Sequence, residues 1–109
     1  MSAFDDLEAI EPRRIWEGVT VQVVDGERVT FARVELEANS VVPEHSHANE
    51  QVGTLVEGSM AFTIGGERRE LAPGATWSIG ANVPHSVETG PGGAVVIEVF
   101  APPRYDWRQ

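Results

Sequence analysis

Cysteine is absent from this chain of 109 residues, which excludes disulfide bridges and thiolate metal ligands. Any bound metal ion is therefore expected to use nitrogen and oxygen ligands. Basic residues are few: 8 Lys plus Arg stand against 17 Asp plus Glu, which gives a net charge of -9. That negative charge repels phosphate backbones and anionic lipid headgroups, so we expect neither nucleic acid nor a membrane as a partner.

Long apolar runs are also missing, and the first ten residues lack both the basic start and the apolar stretch of a secretory signal. We therefore expect a cytoplasmic protein. The length suits one domain, and a hydrophobic content of 41% is enough for one core without crosslinks. We expect an N-terminal extension over residues 1–13 and one β-barrel with a C-terminal tail over residues 14–109.

Turn-forming residues divide the chain into short segments. Its 11 Gly and 7 Pro separate stretches rich in Val, Thr, Phe and Ile, and this pattern predicts an all-β fold. Residues 19–37 predict a hairpin with a tight turn at Asp25-Gly26, and Glu57-Gly58 predicts a later turn. Short strands with exposed edges usually close into a barrel or a two-sheet jelly roll. The same edges lead us to expect a homodimer.

The segment PEHSHANEQ contains two of the three histidines of the chain. Side chains two residues apart on a strand share a face, so we expect His45 and His47 to project together. Gln51, four residues after His47, can turn its carbonyl oxygen toward the same point, and His85 begins a later predicted strand. These four residues predict a site for one divalent transition metal, and nitrogen and oxygen ligands of this kind suit Mn, Fe, Ni, Co or Zn.

Two alternatives stay open for this site. The imidazoles can be ordinary surface or buried side chains, which is the usual role of a lone histidine. Glu50 can also replace Gln51 as the oxygen ligand, although neighbouring residues of a strand point to opposite faces. With three neutral imidazoles and a neutral amide, the ligand set would leave the charge of the ion uncompensated. Such a site favours an anionic ligand.

The spacing of these residues resembles the first sequence motif of the cupin superfamily. His45, His47, Gln51 and Gly58 stand at the motif positions. Asn39 stands where the motif begins with glycine, and Gln51 replaces its glutamate.

The second cupin motif is similar in spacing to a later segment, so the resemblance covers most of the chain. Gly74 and His85 keep its positions, while Gly80, Asn82 and Thr89 replace its proline, glycine and asparagine. The resemblance implies an all-β fold with a single cupin barrel of the jelly-roll type.

The chain further resembles small single-domain cupins of the KdgF type, in residues 33–67, in GANVPHSVE and in EVFAPPRYDW. Members of that group open the ring of a 4,5-unsaturated monouronate to a linear keto sugar acid, with a metal and a nearby Asp, Phe and Arg. Glu98, Phe100 and Arg104 stand at those three places. The resemblance implies that Glu98 and Arg104 are catalytic, that Phe100 and Arg104 bind substrate, and that a small molecule is the partner.

The residues themselves leave alternatives open for these roles. Glu98 lies in the apolar segment AVVIEVF and faces either solvent or the interior, where burial would raise its pKa. Phe100 is either core packing or a substrate contact, and Arg104 is either a solvated tail residue or a guanidinium fork for a carboxylate. Two other functions also fit the sequence: an iron-dependent dioxygenase and a non-enzymatic cupin that binds a small molecule.

Overall fold

A computed structural model of the chain describes residues 2–108. Within them the chain forms eight β-strands and two short 3-10 turns, which confirms the all-β prediction. The strands are β1 (Arg13–Trp16), β2 (Val19–Asp25), β3 (Thr30–Leu36), β4 (Val41–His45), β5 (Glu50–Ile64), β6 (Glu67–Leu71), β7 (Thr76–Ile79) and β8 (His85–Ala101). The 3-10 turns are Leu7–Ala9 and Tyr105–Trp107.

Two long strands, β5 and β8, shape the barrel because each takes part in both of its sheets. Residues 94–100 of β8 pair with β3 on one side and with the first half of β5 on the other. Residues 85–89 pair with β4 and with the second half of β5. One sheet therefore has the strand order β1-β2-β3-β8-β5-β7, and the other has the order β4-β8-β5-β6. This is a jelly-roll barrel, the fold that the resemblance implies.

The interior between the two sheets is filled by apolar side chains that alternate with exposed ones along the strands. The cluster of buried hydrophobic residues is Val19, Val21, Ala32, Val34, Leu36, Leu55, Met60, Phe62, Trp77, Ile79, Val87, Ala94, Val96 and Phe100. Among residues 2–108, no helix has the length and apolar character needed to cross a bilayer. The homodimer, the cytoplasmic location and the boundary at residue 14 stay predictions.

The predicted tight turn at Asp25-Gly26 is wrong, although the hairpin itself forms. Strands β2 and β3 pair from Val19 opposite Leu36 to Asp25 opposite Thr30. The loop has four residues, and its Gly26 does not have the positive φ of a primed two-residue turn. The backbone N–H of Gly26 donates to the carbonyl of Val29 at 2.8 Å, and a side-chain hydrogen bond of 2.9 Å from Thr30 Oγ1 to Asp25 Oδ1 also supports the end of the ladder.

The predicted turn at Glu57-Gly58 is a bulge inside β5. The pairing register with β8 shifts on both sides of these two residues, so the strand bends and continues. Gly58 has a φ of 85° and lies against the carbonyl of Gly93, to which a Cβ at residue 58 would come within 2.0 Å. The bend lets β5 pass from one sheet into the other.

Two asparagines take the places of motif glycines without changing the backbone. Asn39 has a φ of 54° and Asn82 a φ of 63°. Asparagine is one of the few residues that adopt this left-handed region at modest cost. The departures from the cupin motifs at these positions therefore keep the turns that the glycines would make.

We predict that Gly58→Ala destabilises the protein far more than Gly66→Ala. Both glycines have a φ of 85°, but nothing lies within 4 Å of a Cβ at residue 66. Gly66→Ala should therefore cost only the left-handed backbone strain, about 1–2 kcal/mol. Gly58→Ala adds a backbone clash and should cost more than about 3 kcal/mol in urea unfolding. Equal losses would show that the contact with Gly93 does not constrain the barrel.

Candidate metal centre

The three histidines converge on one cavity in the barrel interior. His45 ends β4 and pairs with His85, the first residue of β8. His47 lies beyond the end of β4, so its predicted place on the same strand face as His45 is wrong. The three rings still meet, with centroids 4.3 Å apart for His45 and His85 and 5.0 Å apart for His47 and His85. Their ligand nitrogens all lie within 4.8 Å of one another.

Backbone carbonyls determine the tautomer of each ring. In all three histidines, Nδ1 lies at hydrogen-bonding distance from a carbonyl oxygen two residues away: 2.8 Å from His45 to Pro43, 3.0 Å from His47 to Asn49 and 2.9 Å from His85 to Val83. A carbonyl only accepts, so each Nδ1 carries the hydrogen and each neutral ring keeps a lone pair on Nε2. Histidines that bind metals are commonly held in this way.

The Nε2 atom of His85 is buried without a partner. The residue is 3% exposed, and within residues 2–108 its Nε2 is the one buried side-chain nitrogen or oxygen that has no hydrogen bond. Leaving such an acceptor unpaired costs stability, and buried groups of this kind usually have a functional explanation. A cation would satisfy the lone pair, so the residues present fit a bound metal.

Gln51, a buried residue of β5, adds an oxygen to this group. Its Oε1 lies 3.0 Å from Nε2 of His47, and its amide nitrogen donates to Oε2 of Glu98. Because Glu98 takes the NH2 group, the carbonyl oxygen of the amide faces the histidines. Oε1 of Gln51 and Nε2 of His47 are then both acceptors, and they face each other. A cation bound by both atoms stabilises such a pair. Glu50 is exposed, so Gln51 is the residue brought to the site.

Burial keeps two of the rings neutral. It lowers the pKa of His85 to about 4 and also lowers the pKa of His47, which the nearby charge of Arg104 lowers further. Both rings therefore keep their Nε2 lone pairs at a pH where an ordinary histidine, with a pKa of ~6.5, is protonated.

We predict that metal affinity falls less from pH 7 to pH 5.5 than it would for three ordinary histidines, and that it falls steeply toward pH 4. A lowered pKa means that protons compete with the metal only at lower pH. Three ordinary histidines would lose several hundredfold in affinity over the first interval, at roughly tenfold per ring, whereas this site should lose clearly less, because the pKa of His85 is about 4 and that of His47 is also lowered. Calorimetric titration with Co²⁺ at a series of pH values measures this. A loss of several hundredfold by pH 5.5 would contradict the neutral, buried rings.

Glu98 faces the interior and is 8% exposed, which decides between the two orientations that the sequence left open. Its Oε2 accepts hydrogen bonds from the Gln51 amide and, at 3.1 Å, from Nε1 of Trp77. Burial raises the pKa of Glu98, while these two bonds and the charge of Arg104 act in the opposite direction. Within residues 2–108 no protein donor reaches its other oxygen, Oε1.

Phe100 and Arg104 lie beside the histidines. Phe100 is 1% exposed, and its ring centroid is 5.9 Å from that of His47. The guanidinium of Arg104 lies over two rings, 4.9 Å from the centroid of Phe100 and 4.0 Å from that of Trp107. It donates to both carboxylate oxygens of Asp106, at 3.1 and 2.9 Å, and this pairing lowers the pKa of Asp106. Arg104 is therefore held by the fold and is not a solvated tail residue.

One cavity of about 90 Å³ brings together all seven residues that the sequence predicted for the site: His45, His47, Gln51, His85, Glu98, Phe100 and Arg104. A wider depression of about 320 Å³ shares His45 and Arg104 with it and also includes Glu44 and Asp106. The shared lining shows that the two lie next to each other.

Sequence reasoning missed the hydrogen bond from Trp77 to Glu98 and the aromatic contact of Trp107 with Arg104. The first has no sequence signal, because Trp77 lies 21 residues before Glu98 and only strand pairing brings them together. The second is local: Trp107 follows Arg104 by three residues, and the 3-10 turn Tyr105–Trp107 places its ring beside the guanidinium.

The whole arrangement can be compared with known proteins. A family model for the cupin domain matches residues 32–100. This chain belongs to the cupin family. The match covers both histidine-containing segments, so the metal-site residues of this cupin lie inside the family domain.

Three similar proteins cover almost the whole of this cupin. An uncharacterised protein from Streptomyces coelicolor is 30% identical over 105 residues, which are 94% of this chain and 98% of that protein. The structure of KdgF from Halomonas sp. has a TM-score of 0.89 and 22% identity, with 99% and 100% of the two chains covered. An RmlC-like cupin from Shewanella frigidimarina has a TM-score of 0.91 and 23% identity, with 99% and 97% covered. The chain is a small single-domain cupin that resembles KdgF.

Proposed function

We propose that this cupin binds one divalent transition metal through Nε2 of His45, His47 and His85 and Oε1 of Gln51. We further propose that it opens the ring of an unsaturated uronate, as the resemblance to KdgF-type cupins implies. The observation that carries the proposal is the single cavity that joins these four ligands to Glu98, Phe100 and Arg104.

The ligand set supports an anionic substrate. All four ligand groups are neutral, so the charge of a bound ion is not compensated by the protein. When bound, a divalent metal of this kind supplies Lewis acidity that polarises a substrate oxygen. Mn, Fe, Ni, Co and Zn all suit such ligands.

Arg104 is the group that would hold the substrate carboxylate. The net charge of -9 does not attract an anion, so a local positive group must do so. Nε and Nη2 of Arg104 are used by Asp106, while Nη1 has no acceptor within residues 2–108. Its contacts with the rings of Phe100 and Trp107 help to hold the planar guanidinium at the wall of the cavity.

Glu98 is the group that would move the proton. Ring opening is an isomerisation: the bond between C1 and the ring oxygen breaks, the anomeric hydroxyl loses its proton, and the resulting enolate gains one at carbon as it becomes a ketone. One carboxyl group that accepts and returns a proton is therefore sufficient. Oε1 of Glu98 is free of protein donors, and the raised pKa of this carboxyl suits proton transfer near neutral pH.

We predict that the metal-loaded protein removes the ultraviolet absorbance of a 4,5-unsaturated monouronate and that Glu98→Gln loses about 10²–10⁴-fold of this turnover. Glutamine keeps the shape of the side chain and an acceptor oxygen, so metal content and fold should not change. The matched control is Glu88→Gln, which changes an exposed glutamate outside the cavity of about 90 Å³.

Two results would contradict this reaction. The first is a parent protein that removes the absorbance no faster than buffer with free metal, and the second is full turnover in Glu98→Gln. The first result would favour an iron-dependent dioxygenase, recognised by oxygen uptake with substrate, or a non-enzymatic binding protein.

We predict that Arg104→Met raises the KM for the uronate by about 10–100-fold with a smaller effect on kcat, because a charge-assisted hydrogen bond is worth ~1.5–3 kcal/mol. Methionine keeps an unbranched apolar side chain and removes the guanidinium. The control is Asp106→Asn, which leaves the guanidinium charged and removes the competing carboxylate, so KM should stay the same or fall. An unchanged KM in Arg104→Met would exclude this residue from substrate binding.

A further inference from the structure

Hydrogen bonds through Glu98 connect the proposed metal ligand Gln51 to an indole on the adjacent strand β7. The Gln51 amide nitrogen and Nε1 of Trp77 both donate to Oε2 of Glu98. Gln51 is 5% exposed, and Trp77 and Glu98 are each 8% exposed. No other side chain within residues 2–108 donates to this oxygen. The orientation of Gln51 therefore depends on an acceptor that Trp77 also holds.

Gly53 makes this contact possible. It lies in β5 between the two partners, opposite Trp77 of β7 on one side and opposite Glu98 of β8 on the other. A Cβ at residue 53 would lie 2.8 Å from Nε1 of Trp77 and 2.9 Å from Cγ of Glu98, and both distances are too short. The indole and the carboxylate meet directly above a position that has no side chain.

The orientation of the amide decides whether Gln51 is a ligand. An amide has a carbonyl oxygen at one end and an NH2 group of almost the same shape at the other. If it turned over, the NH2 group would donate to Nε2 of His47 and block a ligand atom. The Glu98 carboxylate only accepts, so it holds the NH2 group away and leaves Oε1 at 3.0 Å from that nitrogen.

We propose that Glu98, Trp77 and Gly53 form a positioning unit that holds the Gln51 amide with its oxygen toward the metal. The unit acts through Gln51 and not by touching the ion. This inference rests on the metal binding proposed above, and it does not require the uronate reaction.

Titration of the metal-free full chain with Co²⁺ tests the proposal with a matched pair of variants. Glu98→Leu removes the acceptor oxygen and should weaken Co²⁺ binding by about 10–100-fold, the usual effect of losing a partner of a metal ligand. Glu98→Gln keeps an acceptor oxygen and should stay within about threefold of the parent. Trp77→Phe keeps an aromatic ring but loses the N–H donor. Its Co²⁺ affinity should lie between those of Glu98→Leu and Glu98→Gln.

A double-variant comparison shows whether the effect passes through Gln51. In a Gln51→Ala background, Glu98→Leu should cause no further loss of affinity, because the group that it positions is already gone. The visible absorption of bound Co²⁺ depends on its ligands. It should change in the same way in Glu98→Leu and in Gln51→Ala, and it should not change in Glu98→Gln.

Two results would overturn the proposal. Equal losses in Glu98→Gln and Glu98→Leu would mean that the negative charge matters and the acceptor does not. A loss that persists undiminished in the Gln51→Ala background would mean that Glu98 does not act through Gln51. Full uronate turnover in Glu98→Gln, together with the Co²⁺ affinities predicted here, would contradict only the reaction, so the two proposals fail separately.

Thermal unfolding of each metal-free variant shows whether it is folded. If Glu98→Leu does not fold, Trp77→Phe takes its place in the test, and its Co²⁺ affinity is measured both in the parent and in the Gln51→Ala background. Gly53→Ala is unsuitable as the main test, since its Cβ would also lie 2.8 Å from the backbone oxygen of Ile97.

Discussion

The antiparallel pairing of β5 with β8 is the constraint on which the site depends. It runs from Glu50 opposite Ala101 to Ile64 opposite His85, through two shifts of register. One metal ligand, Gln51, is carried by β5, while His85, Glu98 and Phe100 are carried by β8. A slip of one residue would turn every one of these side chains to the other face of the sheet. The bulge at Gly58 and the close contact with Gly93 keep the register and bend both strands together.

Burial gives the site its chemistry, but it also costs folding stability. The same apolar surroundings that lower the pKa of His85 raise the pKa of Glu98, because both charged forms lose water. The imidazole is thereby kept as a neutral ligand, and the carboxyl becomes more basic. The cost is a buried nitrogen without a partner and a buried carboxylate whose protein donors all reach one of its two oxygens. Sites that bind ligands or catalyse reactions often carry such costs.

The charge in the wall of the cavity is opposite in sign to the net charge of the protein. The chain is strongly acidic, yet the cavity has Arg104 in its wall and four neutral groups that point toward one place. Asp106 holds Arg104 by two hydrogen bonds, so the arginine is positioned and partly neutralised at the same time. An anion that reaches the cavity meets Nη1 of a guanidinium that is already oriented, which reduces the entropy lost on binding.

Much of the fold was predictable because it depends on short-range patterns. Alternating apolar residues, glycine-rich turns and the spacing of three histidines are properties of the chain itself. They indicated an all-β fold and the four proposed metal ligands, and the resemblance of the motifs indicated a cupin. The turn at Asp25-Gly26 and the turn at Glu57-Gly58 were wrong for one shared reason. A glycine marks a place where the backbone can bend, but strand pairing decides whether that bend becomes a turn or a bulge.

The sequence by itself determined the type of fold, the residues available to bind a metal and the neutral character of that ligand set, since these follow from residue types and their spacing. Only the tertiary structure decided that Glu98 faces inward, that Arg104 is held by Asp106 and two aromatic rings, and that Trp77 reaches Glu98 above Gly53. Each of these depends on which residues become neighbours when distant strands pair and the tail folds back. Spacing along one chain does not specify such contacts.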